Sequence, residues 1–447
     1  MKTSRAQVID PSNRSRFHLE AVLAVVFLLS CSLLANCYGE EPVAARDWPG
    51  LLGPARDGFA APDATTQDHS KTPCKTRWEL DAGQGYAGAA ISNGRVALFQ
   101  RQGDQDLLQL VSLEDGKPIW KIAFPATYRQ GVDSDTGPRC VPQFTSDAVL
   151  AYSAAGTLHC VELGTGKKRW SRELRKEYRA EDGYFGAGST PLLVDSMAIV
   201  NVGGKKGGGV VAVSLADGKT IWAATDAEAS YASPILWSNE RNSVADSSSR
   251  TVVVPTRLAT YGLDPKTGAV RWQFPFGQRG PTVNAATPII TADNNLFLTA
   301  SYGIGFSIAK PSLDKVEVIQ KGEGIASQYA TPIAVGDTVF GSDGREDGGW
   351  PNFNCIDIQT GKTVWSQPNM QICHIIGIRQ GGAEARLLLI GIDGKMWYLP
   401  ASREGFKPLW STELPSGKYR ALPALSKNLL VVRTSGGSNT LWRCFEL

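Results

Sequence analysis

The side chains able to do acid–base, nucleophilic or metal chemistry are few and scattered in this chain. Its 447 residues include four histidines, at positions 18, 69, 159 and 374, and eight cysteines. His159 and His374 each stand beside a cysteine, Cys160 and Cys373. Neighbouring side chains of a strand leave opposite faces, so neither pair can share a metal ion or a reacting atom. No His/Cys group has zinc spacing, no Gly-rich run has the order of a phosphate loop, and no Gly-x-Ser-x-Gly elbow occurs. The densest acidic stretch, Ser342–Asn352, lacks the alternating carboxylates of a calcium loop and carries Arg345, so it reads as a solvated outer loop. The expectation is therefore no catalytic residue and no metal site.

A second set of residues suits recognition better than reaction. Tyr231 and Tyr329 stand three places before the proline of a recurring Ser/Thr-Pro dipeptide, and Tyr86 holds the equivalent place. Tyr419 is one place off that register, and Tyr184 and Phe185 precede Thr190-Pro191. Arg139, His374, Lys418 and Arg420 are expected near the same channel mouth. Tyrosine pairs an apolar body with a polar tip, as recognition surfaces do. The predicted ligand-binding set is Tyr86, Arg139, Tyr184, Tyr231, Tyr329, His374, Tyr419 and Arg420. A packing role for the tyrosines at a hub, and a core or rim role for His374, stay open at this point.

The elements that must hold these residues announce themselves by repetition. An apolar strand, a Gly turn and a tryptophan four residues on recur at Gly116/Trp120, Gly166/Trp170, Gly218/Trp222, Gly268/Trp272 and Gly361/Trp365. The first four tryptophans are 50, 52 and 50 residues apart. Each phrase is a hairpin, with glycine supplying the positive φ of a tight turn. Ahead of it lies another strand pair that opens with Thr190-Pro191, Ser233-Pro234, Thr287-Pro288 or Thr331-Pro332, the proline sitting where no ladder donor is needed. Four short strands repeated at this period predict propeller blades. Two units are worn: one has Val318 at the expected tryptophan, and one ends in Trp410 after an extra turn residue. Leu441–Leu447 matches Leu158–Leu163 but stops before its turn, and the missing strand stands at the other end as Lys75–Leu80 around Trp78. The chain is thus expected to be all-β: an eight-bladed propeller of four-stranded antiparallel blades, both termini sharing one blade, with Trp78, Trp120, Trp170, Trp222, Trp272, Trp365 and Trp410 as docking residues. A seven-bladed ring with Phe306–Val318 as an insertion is the alternative.

The phrase Cys355–Trp365 (CIDIQTGKTVW), and Gly262–Trp272 nearly as well, resembles the tryptophan-docking repeat of the pyrroloquinoline-quinone-like, or quinoprotein dehydrogenase-like, β-propeller family. The resemblance covers about residues 75–447, and Asp47–Gly58 looks like the opening segment of bacterial quinoprotein-like repeat proteins. It implies eight blades. It does not imply one activity, because the family holds pyrroloquinoline-quinone enzymes as well as a cofactor-free lipoprotein of the outer-membrane β-barrel assembly machinery. Many of the enzymes stack the quinone beside Ca²⁺ on a ring of two adjacent, disulfide-linked cysteines, and this chain has no Cys-Cys pair. The resemblance is closer to the non-enzymatic branch, and no catalytic or metal residue of the enzymes maps onto a position here.

Composition fixes the setting. With 42% hydrophobic and 20% charged residues the chain has ample core, and a net charge of +3 without basic clusters argues against nucleic acid. Lys2, Arg5, Arg14 and Arg16 precede the apolar run 21–34, a signal-peptide pattern over 1–39 with cleavage after Gly39 or Ala45. Leu28–Cys31 fits a lipobox in outline, and Leu34–Cys37 less well, so any membrane attachment would run through a lipid anchor. Residues 40–74 read as an extended leader and 75–447 as the propeller. Cys160, Cys355 and Cys444 share one place in the repeat, and the thiols are expected to be free and buried. The function the sequence favours is an exported, monomeric binding or scaffold propeller of the periplasm or outer membrane, recognising an envelope protein, peptide or glycan and needing no cofactor. The alternatives are a pyrroloquinoline-quinone dehydrogenase with Ca²⁺ in an atypical site, and a carbohydrate- or polymer-active protein.

Overall fold

The computed structural model describes residues 47–447 apart from 130, 131, 133, 182, 240–248, 281, 380–383 and 436–439. The expected signal over 1–39, with Cys31, Cys37 and Gly39, and the second cleavage position at Ala45, lie outside the described residues. The described strands form eight four-stranded antiparallel sheets. Seven are continuous in sequence: blade 1 (90–125), blade 2 (143–172), blade 3 (192–224), blade 4 (235–275), blade 5 (289–322), blade 6 (333–367) and blade 7 (373–413). Blade 8 takes three strands from 424–446 and its outermost strand, Lys75–Asp81, from the other end of the chain, with Trp78 opposite Cys444. The propeller therefore has eight blades, not seven, and the shared blade closes the ring and leaves no unpaired sheet edge between the ends. Phe306–Val318 is no insertion; it belongs to the third and fourth strands of blade 5.

Burial follows from stacking blade on blade. A second strand such as Met197–Asn201 is buried throughout because a neighbouring sheet covers each of its faces, whereas the outer strand Val316–Gly322 alternates between half-buried and exposed. The docking tryptophans cross the gap between blades. The indole Nε1 of Trp78 donates to Leu113 O at 2.8 Å, and those of Trp120, Trp170, Trp222, Trp272 and Trp365 reach the carbonyls of Leu163, Leu215, Pro265, Ser312 and Ser402 at 2.8–3.0 Å. The turn glycine is required twice over. Gly218 has φ +72°, and a Cβ there would meet the Trp170 ring at 2.8 Å.

The worn units differ from the sequence expectation in two ways. Val318 is not the tryptophan equivalent. The bulge in blade 5 pairs Ile308 with Gln320, as it pairs Cys160 with Trp170 in blade 2, and it is Gln320 that packs on Gly361 of the next turn. The longer turn around Ser312–Lys315 moves the register by two residues. Trp410 has no glycine turn on the next blade to dock against, because the third and fourth strands of blade 8 come from the two chain ends. Its ring instead stacks on Tyr398 at 5.4 Å and meets His69 of the leader edge-on at 5.3 Å. The cysteines Cys74, Cys140, Cys160, Cys355, Cys373 and Cys444 are free, all but Cys74 buried.

Candidate functional site

The two ends of the central channel are built differently. The inner strands begin at one face, the mouth, and run to the other, the floor. The leader fills the floor. Trp48 O accepts from Ile91 N at 2.7 Å, Pro49 O from Phe144 N at 2.9 Å, and Gly58 and Ala60 pair with Gly377 of blade 7. Leu51, Leu52 and Phe59 are each about 5% exposed. Between them Arg56 reaches up the axis and spends its guanidinium on oxygens: Thr190 O at 2.9 Å, Pro191 O at 3.2 Å, Pro234 O at 3.0 Å and Gln143 Oε1 at 3.3 Å. Burial lowers its pKa to about 9, so it remains charged at neutral pH. The leader therefore enters the channel as a plug, where the sequence alone predicts a segment lying across the propeller.

Above the plug is a cavity of about 230 Å³, with Leu51 in its floor. Tyr86, Phe185, Tyr231, Tyr302 and Tyr329 contribute rings to it, and Arg139 and Arg420 contribute charge. The guanidinium of Arg139 lies 5.5 Å from the Tyr86 ring and 5.9 Å from Phe185; that of Arg420 lies 5.2 Å from Tyr86. A relay of small hydroxyls also lines the cavity. Thr190 Oγ1 accepts from Val141 N, Ser233 Oγ from Thr190 N, Thr287 Oγ1 from Ser233 N and Thr331 Oγ1 from Thr287 N, at 2.9–3.3 Å. The Ser/Thr before each inner-strand proline thus satisfies a backbone donor of the preceding blade, which explains the dipeptide.

Of the eight residues predicted from sequence, the structure brings Tyr86, Arg139, Tyr231, Tyr329, His374 and Arg420 to this cavity. Tyr184 lines an adjoining groove of about 520 Å³ between blades 3 and 4, which shares Gly188, Tyr231 and Val283 with the cavity. Tyr419 is a correction. It is fully buried, donates through Oη to Pro415 O at 2.5 Å and packs in the core of blades 7, 8 and 1, because its one-place offset turns the side chain away from the mouth. His374 is 2% exposed; its Nε2 lies 3.0 Å from Arg420 O, and burial lowers its pKa to about 4, leaving it neutral at pH 7. His159 stacks on Phe124 at 3.7 Å and is likewise held neutral by burial.

The acidic loop is a second correction. Glu346 does not lie in solvent; its side chain is 12% exposed and joins the rim. It pairs with Lys418, with Arg420 at 2.7 Å, and accepts from Tyr329 Oη at 3.0 Å. Burial alone would raise its pKa, but the two cations lower it. Sequence reasoning missed Tyr302, Gln328, Arg56 and the hydroxyl relay. The Ser/Thr-Pro repeat was the available signal for the relay, but it reads as strand punctuation until the blades stand side by side.

The donors do not fit a hard dication. The cavity wall holds no carboxylate, and among the described residues no group of three or more His, Cys, Asp or Glu is placed to hold a metal ion. Similarity to known proteins places the chain more firmly. The profile of the family described as outer membrane protein assembly factor BamB matches residues 103–367. The chain belongs to that family. BamB from Moraxella catarrhalis superposes with a TM-score of 0.56 at 16% identity, over 84% of this chain and 100% of that one. The quinohemoprotein alcohol dehydrogenase of Comamonas testosteroni gives 0.61 at 12% identity over 90% and 81%. That of Pseudomonas putida HK5 gives 0.63 at 12% over 92% and 82%. At these identities the likeness of these structures to this BamB-family chain shows the fold alone. Comparison with curated proteins by sequence yields no match.

Proposed function

We propose that this BamB-family propeller is an exported, non-catalytic binding protein of the cell envelope that holds a protein, peptide or glycan at its mouth face as a monomer. The observation that carries the reading is the blind cavity: five aromatic rings converge with two arginines above a floor sealed by the leader. Such a pocket grips a group without offering it a proton-transfer pair, since His374 is neutral and points its Nε2–H at a carbonyl. Trp350, 67% exposed on the same blade 6 loop as Glu346, offers an aromatic anchor beside the mouth. The family's description as an assembly factor supports a protein partner and a place at the outer membrane, with a lipid anchor at Cys31 or Cys37 as the alternative mode of retention.

The test is site-specific photo-cross-linking in the intact envelope, with the probe at position 350 on the mouth face or at Lys266 in a turn of the floor face. Adducts confined to position 350 support the reading; adducts at both or at neither overturn it. Titration with pyrroloquinoline quinone and Ca²⁺ should give neither bound-quinone absorbance nor dye reduction with alcohols or sugars. Stoichiometric quinone binding with turnover would replace the binding reading by an oxidoreductase.

A further inference from the structure

We propose that the mouth cavity is a receptor for one carboxylate carried on a flat, aromatic-sized group. The inference rests on the binding reading above and names its ligand chemistry. It follows from a count of hydrogen-bonding capacity. The oxygens of Ser233, Thr287 and Thr331 already accept from backbone N–H groups at 2.9, 3.3 and 3.1 Å. A hydroxyl also has a hydrogen to give, and among the described residues none of these three O–H groups meets an acceptor. The Tyr231 and Tyr302 oxygens likewise accept, from Phe185 N at 2.9 Å and Gln328 Nε2 at 3.3 Å, which leaves two phenol hydrogens among the residues that line the cavity. Thr190 differs, because its hydroxyl lies against the Cys140 thiol.

Charge points the same way. Arg139 donates to the backbone carbonyls of Gly137 at 2.7 Å and Asp135 at 2.8 Å, and no carboxylate pairs with it among the described residues. Arg420, by contrast, is matched by Glu346. The wall therefore carries one unmatched positive charge and more donors than acceptors. An occupant must bring lone pairs and a single negative charge, which a carboxylate does. A cation would meet Arg139 unfavourably, and a phosphate dianion would bring a charge that nothing on the wall answers. The rings of Tyr86, Phe185 and Tyr329 give the body of the ligand flat surfaces, and the volume of about 230 Å³ admits a group of phenylacetate size. The same chemistry is borne by a free aromatic acid and by an aromatic residue at the carboxyl end of a peptide.

The experiment is calorimetric titration of the full mature chain with phenylacetate, phenylacetamide, inorganic phosphate, and the tripeptide Gly-Gly-Phe with a free or an amidated carboxyl end. The acids should bind one per chain, with the amides and phosphate at least tenfold weaker. Arg139→Gln should weaken acid binding tenfold or more with an unchanged melting curve, and Arg139→Lys should retain most of it. Tighter binding of the tripeptide acid than of phenylacetate assigns the site to a chain end, and the reverse order to a free acid. The proposal is overturned if neither acid binds at millimolar concentration, if the amides bind equally, or if Arg139→Gln leaves affinity unchanged. Cross-links from position 350 that persist after such a failure would leave the partner reading standing, so the two can fail separately.

Discussion

Two arginines sit near the channel axis, and they do opposite things. At the floor, Arg56 has its donors taken by four protein oxygens within 3.3 Å, and its charge is enclosed by the leader. At the mouth, Arg139 donates to two carbonyls of its own loop and lies between aromatic rings beside a cavity. The first is a fastener. The second is the charge that the proposed carboxylate would meet. The residue type is the same; the end of the channel and the number of acceptors each finds set the two apart.

The strongest way to break the comparison is to remove one end. Truncation before residue 81 takes away the plug and the outer strand of blade 8 together, exposing an apolar edge along Leu441–Glu446. The truncated chain is expected to aggregate on size-exclusion chromatography; a monomer with an unchanged melting curve would refute terminus sharing. Next in size is a control at the perimeter. Trp170→Ala should cost about 3–5 kcal/mol in urea unfolding, the usual range for a large aromatic, and leave phenylacetate affinity as it was. Loss of ligand without loss of stability would show that the indole is more than a packing device.

Acid should act on the mouth more than on the floor. The folded pKa of His374 is lowered from 6.5 to about 4 by burial, so between those values the unfolded chain takes up a proton that the folded one refuses. Stability is therefore full above pH 6.5 and falls as pH drops toward 4. His374→Gln should remove about 2–3 kcal/mol of that fall in urea melts compared at pH 7 and pH 4. Arg56→Met should cost about 2 kcal/mol, because it strands buried carbonyls of blades 3 and 4. Arg139→Gln should cost about 1 kcal/mol or less, since Arg139 donates to two carbonyls of its own loop and ties no blades together. Equal costs for Arg56→Met and Arg139→Gln would erase the distinction between fastener and receptor.

How much of this was readable depended on whether the signal was periodic. The glycine turns and docking tryptophans repeat, so fold, blade count and closure could be read from spacing. The register of the tyrosines also placed Tyr86, Tyr231 and Tyr329 at the mouth, and its one-place break at Tyr419 was the visible sign that this ring turns inward. Glu346 could not be read in the same way: it stands in a non-repeating loop, and its partners Lys418 and Arg420 are more than 70 residues away. Val318 misled because a longer turn moved the register within an otherwise regular blade.

The sequence by itself determined the propeller, since each blade is a local set of hairpins whose turn residues and strand periodicity act within about 50 residues. Only the tertiary structure decided how the channel is lined and plugged. Whether a leader arginine is consumed by carbonyls, whether hydroxyls on four blades line one wall, and whether Arg139 meets a carboxylate all depend on distances between blades far apart in sequence. Those distances come from closing the ring, and no local pattern encodes them.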